Sequence, residues 1–414
     1  MKILPILQVF RFAPFYFDIL HIYPCLKAID KRDIIMRKTF LTGIGFLLMT
    51  ANAQAATDLG DIYSEFKNNL NKNYGFSYDL TYSALLQRTS PSGDANAFQS
   101  YLAPSITWTT FNNDYGTGIL NASYSSIFYG NHNADDIQGN AGMVTPINDF
   151  GSDEQEFADL YYTYQLPRQY NWLTFGIGQY SLYNFDGTDY DNNQQVNFLN
   201  YASAQNASAT YADAGLGAYV QATPNNWQFA AGFLDATNIN APSIRFNHLN
   251  DGHFTTFGLA GYNPTFKNLG DGQYFVMVYN QPYVHEQPQS TTGWSVNMQQ
   301  NISERLALFG RINGVSGHVA DINQSYVLGG VFNNPLQRNE LDQIGLSYAY
   351  NKVDEKAVGA PVYHDAEQVI EAYWAWGISK WATITPDFQF YIHPAQNQKS
   401  DYGTVTSLRL TLFF

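Results

Sequence analysis

Between Phe76 and Leu86 the chain alternates: Tyr78, Leu80, Tyr82, Ala84 and Leu86 fall on one face of an extended segment, and Ser77, Asp79, Thr81 and Ser83 on the other. The same period recurs downstream. Ile344, Leu346, Tyr348 and Tyr350 oppose Gln343, Gly345 and Ser347; Trp374, Trp376 and Ile378 oppose Glu371, Tyr373 and Gly377; Phe388, Phe390 and Ile392 oppose Asp387, Gln389, Tyr391 and His393. In the last segment, Thr406–Phe414, one face carries Leu408, Leu410, Leu412 and Phe414, the other Arg409 and Thr411. Such a segment reads as the closing strand of an outer-membrane β-barrel, the alternative being a half-buried edge strand of a soluble sandwich. Polar residues repeatedly take the second face, and that repetition favours a wide, wet lumen over an apolar interior.

From residue 56 onward no apolar run approaches the ~18 residues that a spanning helix needs, whereas strands of about 10 residues with every second side chain apolar escape ordinary hydropathy. A helical membrane protein is thereby excluded. Near the other end, Met36-Arg37-Lys38 precedes an apolar stretch from Phe40 to Met49 and then Ala51-Asn52-Ala53-Gln54-Ala55, the pattern of a secretory signal peptide cleaved before Ala56. Residues 1–35, interrupted by Pro5, Pro14 and Pro24, are expected to be an upstream extension from a misassigned start, with Met36 the true one. The expected layout is therefore 36–55 signal peptide, 56–75 a short amphipathic helix carrying Leu59, Ile62, Phe66 and Leu70, and 76–414 the barrel.

Charge and cysteine content narrow the class further. The whole chain carries −14, and residues 56–414 hold 14 Lys/Arg against 32 Asp/Glu, about −18. That balance disfavours nucleic acid and offers no basic patch for anionic lipid. The single cysteine, Cys25, lies in the upstream extension, so the mature chain is expected to have neither disulfide nor thiol chemistry. Leu166-Pro167-Arg168-Gln169 and Thr223-Pro224-Asn225-Asn226 read as tight periplasmic turns, and the Asn/Asp/Gly-rich stretches Gly130 to Asp159 and Asp186 to Ala209 as outer loops, some folded inward. Trp108, Trp172, Trp227, Trp294 and Trp381 sit where strands meet turns, as in the interfacial girdle of membrane barrels.

Three stretches resemble the carbohydrate-selective porins of the OprB type in Gram-negative outer membranes. They are Thr174-Phe175-Gly176-Ile177-Gly178-Gln179-Tyr180 with Asn184-Phe185-Asp186 and Val196-Asn197-Phe198-Leu199-Asn200; Gly329-Gly330 with Asn339-Glu340-Leu341-Asp342-Gln343-Ile344-Gly345; and Glu367 to Pro394 followed by the Arg409 strand. The resemblance covers Asp58 to Phe414. It implies an all-β, transmembrane antiparallel β-barrel of about 16 strands with short periplasmic turns and long outer loops. It also implies a pore narrowed by those loops and passive diffusion of small neutral sugars. Family members carry arginines at the constriction; only seven arginines remain here after residue 55, which argues against strong anion selectivity.

A sugar pore needs carboxylates, amides and guanidinium groups to replace water around the hydroxyls, with aromatic rings against the apolar sugar face, and it must bind weakly so that solute leaves. By parity the candidate pore-lining residues are Arg311, Glu371, Tyr373, Asp387, Gln389 and Arg409. The alternative for each is a wet-face side chain that merely pairs with a neighbour. The seven histidines after residue 55 show neither HxxxH nor HExxH spacing, and neither a phosphate loop nor a dinucleotide fingerprint occurs, so no enzyme, metal or cofactor is expected. Besides sugars, the expected partners are lipopolysaccharide and outer-membrane lipid and the barrel-assembly machinery acting on the Phe414 strand, with monomer and homotrimer both open as the oligomeric state. Acidity makes a general or cation-preferring porin the main alternative function, ahead of a plugged structural barrel.

Overall fold

The computed structural model describes residues 53–91, 95–240 and 242–414. Two units are distinguished, the second of them 67–414. The upstream extension and most of the signal segment lie outside the described residues; Ala53, Gln54 and Ala55 begin a helix, α1 (Ala53–Tyr74), which starts three residues ahead of the expected amphipathic segment.

The second unit is a closed barrel. Its strands are β1 (Phe76–Ser90), β2 (Asn96–Asn113), β3 (Gly116–Tyr129), β4 (Glu154–Gln165), β5 (Leu173–Tyr180), β6 (Gly215–Ala222), β7 (Trp227–Asp235) and β8 (Phe254–Tyr262). After a two-residue strand, β9 (Thr265–Phe266), follow β10 (Gly270–Gln281), β11 (Thr291–Asn301), β12 (Leu306–Val315), β13 (Ile322–Asn333), β14 (Gln343–Val353), β15 (Ala366–Ser379), β16 (Ala382–Ile392) and β17 (Tyr402–Phe413). Sixteen of them, all but β9, pair antiparallel with both neighbours, β8 joining β10 directly and β17 returning to β1. Closure leaves no edge, the only way a sheet satisfies its backbone in hydrocarbon. At the seam Phe414 and Leu80 exchange backbone hydrogen bonds of 2.9 Å in both directions.

Alternation along the strands sorts the residues as the pattern predicts. Leu328, Leu346, Phe388 and Leu408 are 45–66 % exposed and face outward, while Gln389, Glu371, Arg409 and Thr411 are almost wholly covered on the inside. Short connections crowd one end, 114–115, 223–226 and 380–381 among them, and long ones the other. Trp108, Trp172 and Trp227 lie exposed at the short-turn end with Trp381 in its turn, and Trp294 alone at the long-loop end, so four of the five expected girdle tryptophans gather at one rim.

Boundaries at the loops also differ from expectation. The first outer loop ends at 153, because Glu154–Asp159 is already β4; charged residues there face a polar lumen, which removes the usual contrast between strand and loop composition. The second runs from 181 to 214, longer at both ends. His393 falls outside β16, in a left-handed conformation (φ 56°) that cannot continue a strand.

Both long loops fold into the barrel. Segment 130–153 carries α2 (Ala134–Ala141), started by a capping box between Asn133 and Asp136 and stopped by Gly142 at φ 69°. Segment 181–214 buries Phe198 against Phe309 of β12 and Tyr373 of β15, ring centroids 5.4 and 4.9 Å away. A second cluster joins Tyr180, Tyr211, Tyr219, Phe257 and Tyr279, with Phe185 packed on it.

Candidate functional site

The strand parity that turns Arg311, Glu371, Tyr373, Asp387, Gln389 and Arg409 inward brings five of them together. Glu371 lies opposite Gln389, and Tyr373 opposite Asp387, across the β15/β16 pair. Asp387 in turn lies opposite Ser407, and Thr385 opposite Arg409, across β16/β17. Arg311 stands apart on β12. All six are inside the barrel, and all are 0–5 % exposed because the inward loops cover them.

Their hydrogen bonds go to the loops. Arg409 donates to the carbonyls of Gln194, Val196 and Asn197, the last two at 3.1 and 3.0 Å, and Thr411 donates to Gln195 at 3.0 Å. Glu371 accepts from the amides of Leu199 (2.5 Å) and Asn200 (3.2 Å). Gln389 accepts from the Asn200 side chain at 3.0 Å and donates to the Ile147 carbonyl at 2.9 Å, tying both loops to one residue. Tyr373 donates to Gln343 and packs edge-on to Phe198. Arg311 donates to the Asp191 carbonyl (2.7 Å) and ion-pairs with the Asp191 carboxylate (3.0 Å). Loop carbonyls and amides buried away from water need such partners, and charged side chains make the stronger ones.

Two anchors lay beyond the sequence reading. Glu367 accepts three backbone N–H bonds, from Val144 (2.7 Å), Thr145 (2.6 Å) and Ala395 (2.7 Å). Asp186 accepts from Ser295 (2.5 Å), Asn297 (3.0 Å), Asn206 (2.7 Å) and Tyr211 (3.1 Å).

What the loops leave open is acidic. A cavity of about 450 Å³ at their junction with β3 and β4 is lined by Asp135, Asp149, Glu154, Glu156, Asp159 and Asp213, with Asn, Gln, Ser and Tyr side chains and neither lysine nor arginine among its described lining residues. One oxygen each of Glu154, Glu156 and Asp213 lies within 4.8 Å of the others, close enough to share a cation, and this is the sole such group among the described residues. Burial, with the charge of Glu154 beside it, pushes the Asp149 carboxyl up to about 7. Burial also holds Asp213 well above the usual carboxylate range, with Glu154 and Asp149 adding to it, and raises Asp135. None of these acids was singled out from the sequence. The available signal was the density of acids from Asp149 through Asp159, which reads equally well as a solvated loop.

A second cavity, about 560 Å³, opens at the short-turn end among Asn263, Pro264, Thr265 and Asp271, with Gln228, Leu259, Gln273 and Phe275 on its walls.

The profile of the carbohydrate-selective porin, OprB family, matches residues 247–414. Porin AaxA of Chlamydia pneumoniae is 41 % identical over 319 residues, 76 % of this chain and 72 % of the relative. The chain belongs to the OprB family of porins. Porin AaxA of Chlamydia trachomatis serovar D is 35 % identical over 392 residues, 94 % of this chain and 82 % of that protein. The high-pH structure of Pseudomonas putida OprB superposes with a TM-score of 0.70 at 14 % identity, covering 85 % of this chain and 97 % of that one, and so shares the fold. As an OprB-family porin the protein resides in a Gram-negative outer membrane, with its apolar outer face against lipid, and lets small polar solutes diffuse passively; it is a transport protein and not an enzyme.

Proposed function

We propose that this porin favours cations over anions while also passing neutral sugars. One observation carries the charge preference: the inward arginines, Arg311 and Arg409, are 0 and 1 % exposed and bound to loop backbone, whereas six acidic side chains line the open cavity with neither lysine nor arginine among its described lining residues. In a confined space with low-dielectric walls, fixed charge of one sign raises the local concentration of counter-ions. A solute crossing the cavity exchanges water for carboxyl and amide groups, whose oxygens accept from ammonium, guanidinium or hydroxyl donors.

Sugars remain supported by the family's description as carbohydrate-selective and by the same acceptor-rich lining. Arg311, Glu371, Asp387, Gln389, Tyr373 and Arg409 act in this reading by fixing the loops that shape the solute path. Reversal potentials in a KCl gradient, with liposome swelling in glucose, lysine and glutamate, test the proposal: potassium over chloride and lysine over glutamate are expected, and chloride preference would refute it.

Two parts of the biogenesis rest on the sequence pattern. Cleavage before Ala56 predicts a mature chain starting there, and the intact mass of membrane-extracted protein tests it. Recognition of the Phe414 strand by the barrel-assembly machinery predicts that deleting Phe414 lowers the heat-modifiable barrel in outer-membrane fractions. Native mass in mild detergent distinguishes monomer from trimer.

A further inference from the structure

The acidic cavity and the short-turn cavity have one lining residue in common, Asn184. It ends a 3-10 turn, Leu182–Asn184, on the inward loop, and its side-chain amide donates to Asp159 Oδ1 of β4 at 2.9 Å. The other oxygen of Asp159 accepts from Ser123 Oγ of β3 at 2.6 Å. Asn184 and Asp159 therefore form a bar from the loop to the barrel wall, with the acidic cavity on one side and the short-turn cavity on the other.

Both ends of the bar are held. On the wall, the β3/β4 ladder shifts register between Ser123 and Ser125, setting Asp159 opposite Ser123 and Glu156 opposite Ser125; such bulges re-aim side chains. On the loop, Tyr183 hydrogen-bonds Tyr201 at 2.9 Å, and the Phe185 ring packs 5.1 Å from both Tyr219 and Phe257. Asn184 is exposed between these two fixed neighbours. The opposite side of the lumen is closed by the Phe198 core and the Arg409, Glu371 and Glu367 anchors.

The geometry points to the Asn184–Asp159 bridge as the constriction that solute crosses between the two cavities, with Asn184 setting the size limit and Asp159 the charge preference at that point. Two short side chains joined by a single hydrogen bond suit this role. The bond is replaced by one from a polar solute as it passes, so the bridge yields without a tight binding site.

The test uses assembled pores. Cys25 is the only cysteine in the chain, so Asn184→Cys on a Cys25→Ser background gives one addressable thiol, and Thr256→Cys, on the outer face, serves as the control. A bulky methanethiosulfonate added to conducting Asn184→Cys channels is expected to cut single-channel current by half or more and to leave Thr256→Cys unchanged. Full current after labelling confirmed by mass would overturn the constriction. Asp159→Asn keeps the shape and is expected to lower the potassium-to-chloride permeability ratio at least twofold; an unchanged ratio would overturn the role of Asp159. Block is read as current regardless of ion preference, so it stands or falls separately from the cation proposal.

Discussion

Arg311 and Asp191, each no more than 1 % exposed, meet at 3.0 Å across the junction between the wall strand β12 and the inward loop. The same guanidinium donates to Asn297 Oδ1 at 2.7 Å and to the Asp191 carbonyl at 2.7 Å. Replacing one member of such a buried pair leaves the other without compensation, at a cost of about 3–5 kcal/mol. Arg311→Ala is therefore expected to undock part of segment 181–214 while the barrel persists, seen as new proteolytic cuts in that segment and noisier current. Arg311→Ala with Asp191→Ala should be milder than the single arginine change.

Glu367 and Glu371 lie four residues apart on β15, yet they hold different loops. Glu367 accepts from Val144 and Thr145, Glu371 from Leu199 and Asn200. Each bond to a charged group contributes about 1.5–3 kcal/mol. Glu367→Ala should expose 130–153 to protease and leave 181–214 protected, and Glu371→Ala should do the reverse.

Asp149 carries a pH prediction. Its carboxyl, raised to about 7 by burial and by Glu154, is mostly neutral at pH 5 and mostly ionised at pH 9. Cation preference should therefore rise with pH through that interval. Reversal potentials between pH 5 and 9 check the step, and Asp149→Asn should flatten it.

Tyr373 lies over Gly345, its opposed residue on β14, and a Cβ on that glycine would meet the Tyr373 ring at 2.2 Å. Gly345→Ala must displace the ring from Phe198 and from its bond to Gln343. Overpacking of this kind costs ~1–3 kcal/mol. A lower temperature for loss of the compact band on electrophoresis is the expected result.

The lipid-facing side gives a contrast by depth. Leu328, 66 % exposed in the middle of β13, faces outward, whereas Leu336, 57 % exposed, sits in the turn after it. Leu328→Arg should destabilise the barrel by about 2–4 kcal/mol and Leu336→Arg by roughly 0–1 kcal/mol. Urea unfolding in lipid vesicles measures both.

Parity was legible in the sequence because the side-chain period of a strand is local: Arg409 between Leu408 and Leu410 has to face inward whatever surrounds it. The same period set the outer apolar face and the membrane location, and the Glu367–Pro394 stretch marked the family. Depth and cover are different in kind. Whether Arg409 meets water or the carbonyls of Gln194, Val196 and Asn197 depends on a segment more than two hundred residues away folding back into the lumen. The acids of the open cavity likewise come from α2, its following loop, β4 and the end of the second loop, and only closure of the barrel brings Asp135, Asp149, Glu156 and Asp213 around one space. Alternation along a strand decides which way a side chain points; contacts between distant segments decide what it meets there, and those were settled by the tertiary structure alone.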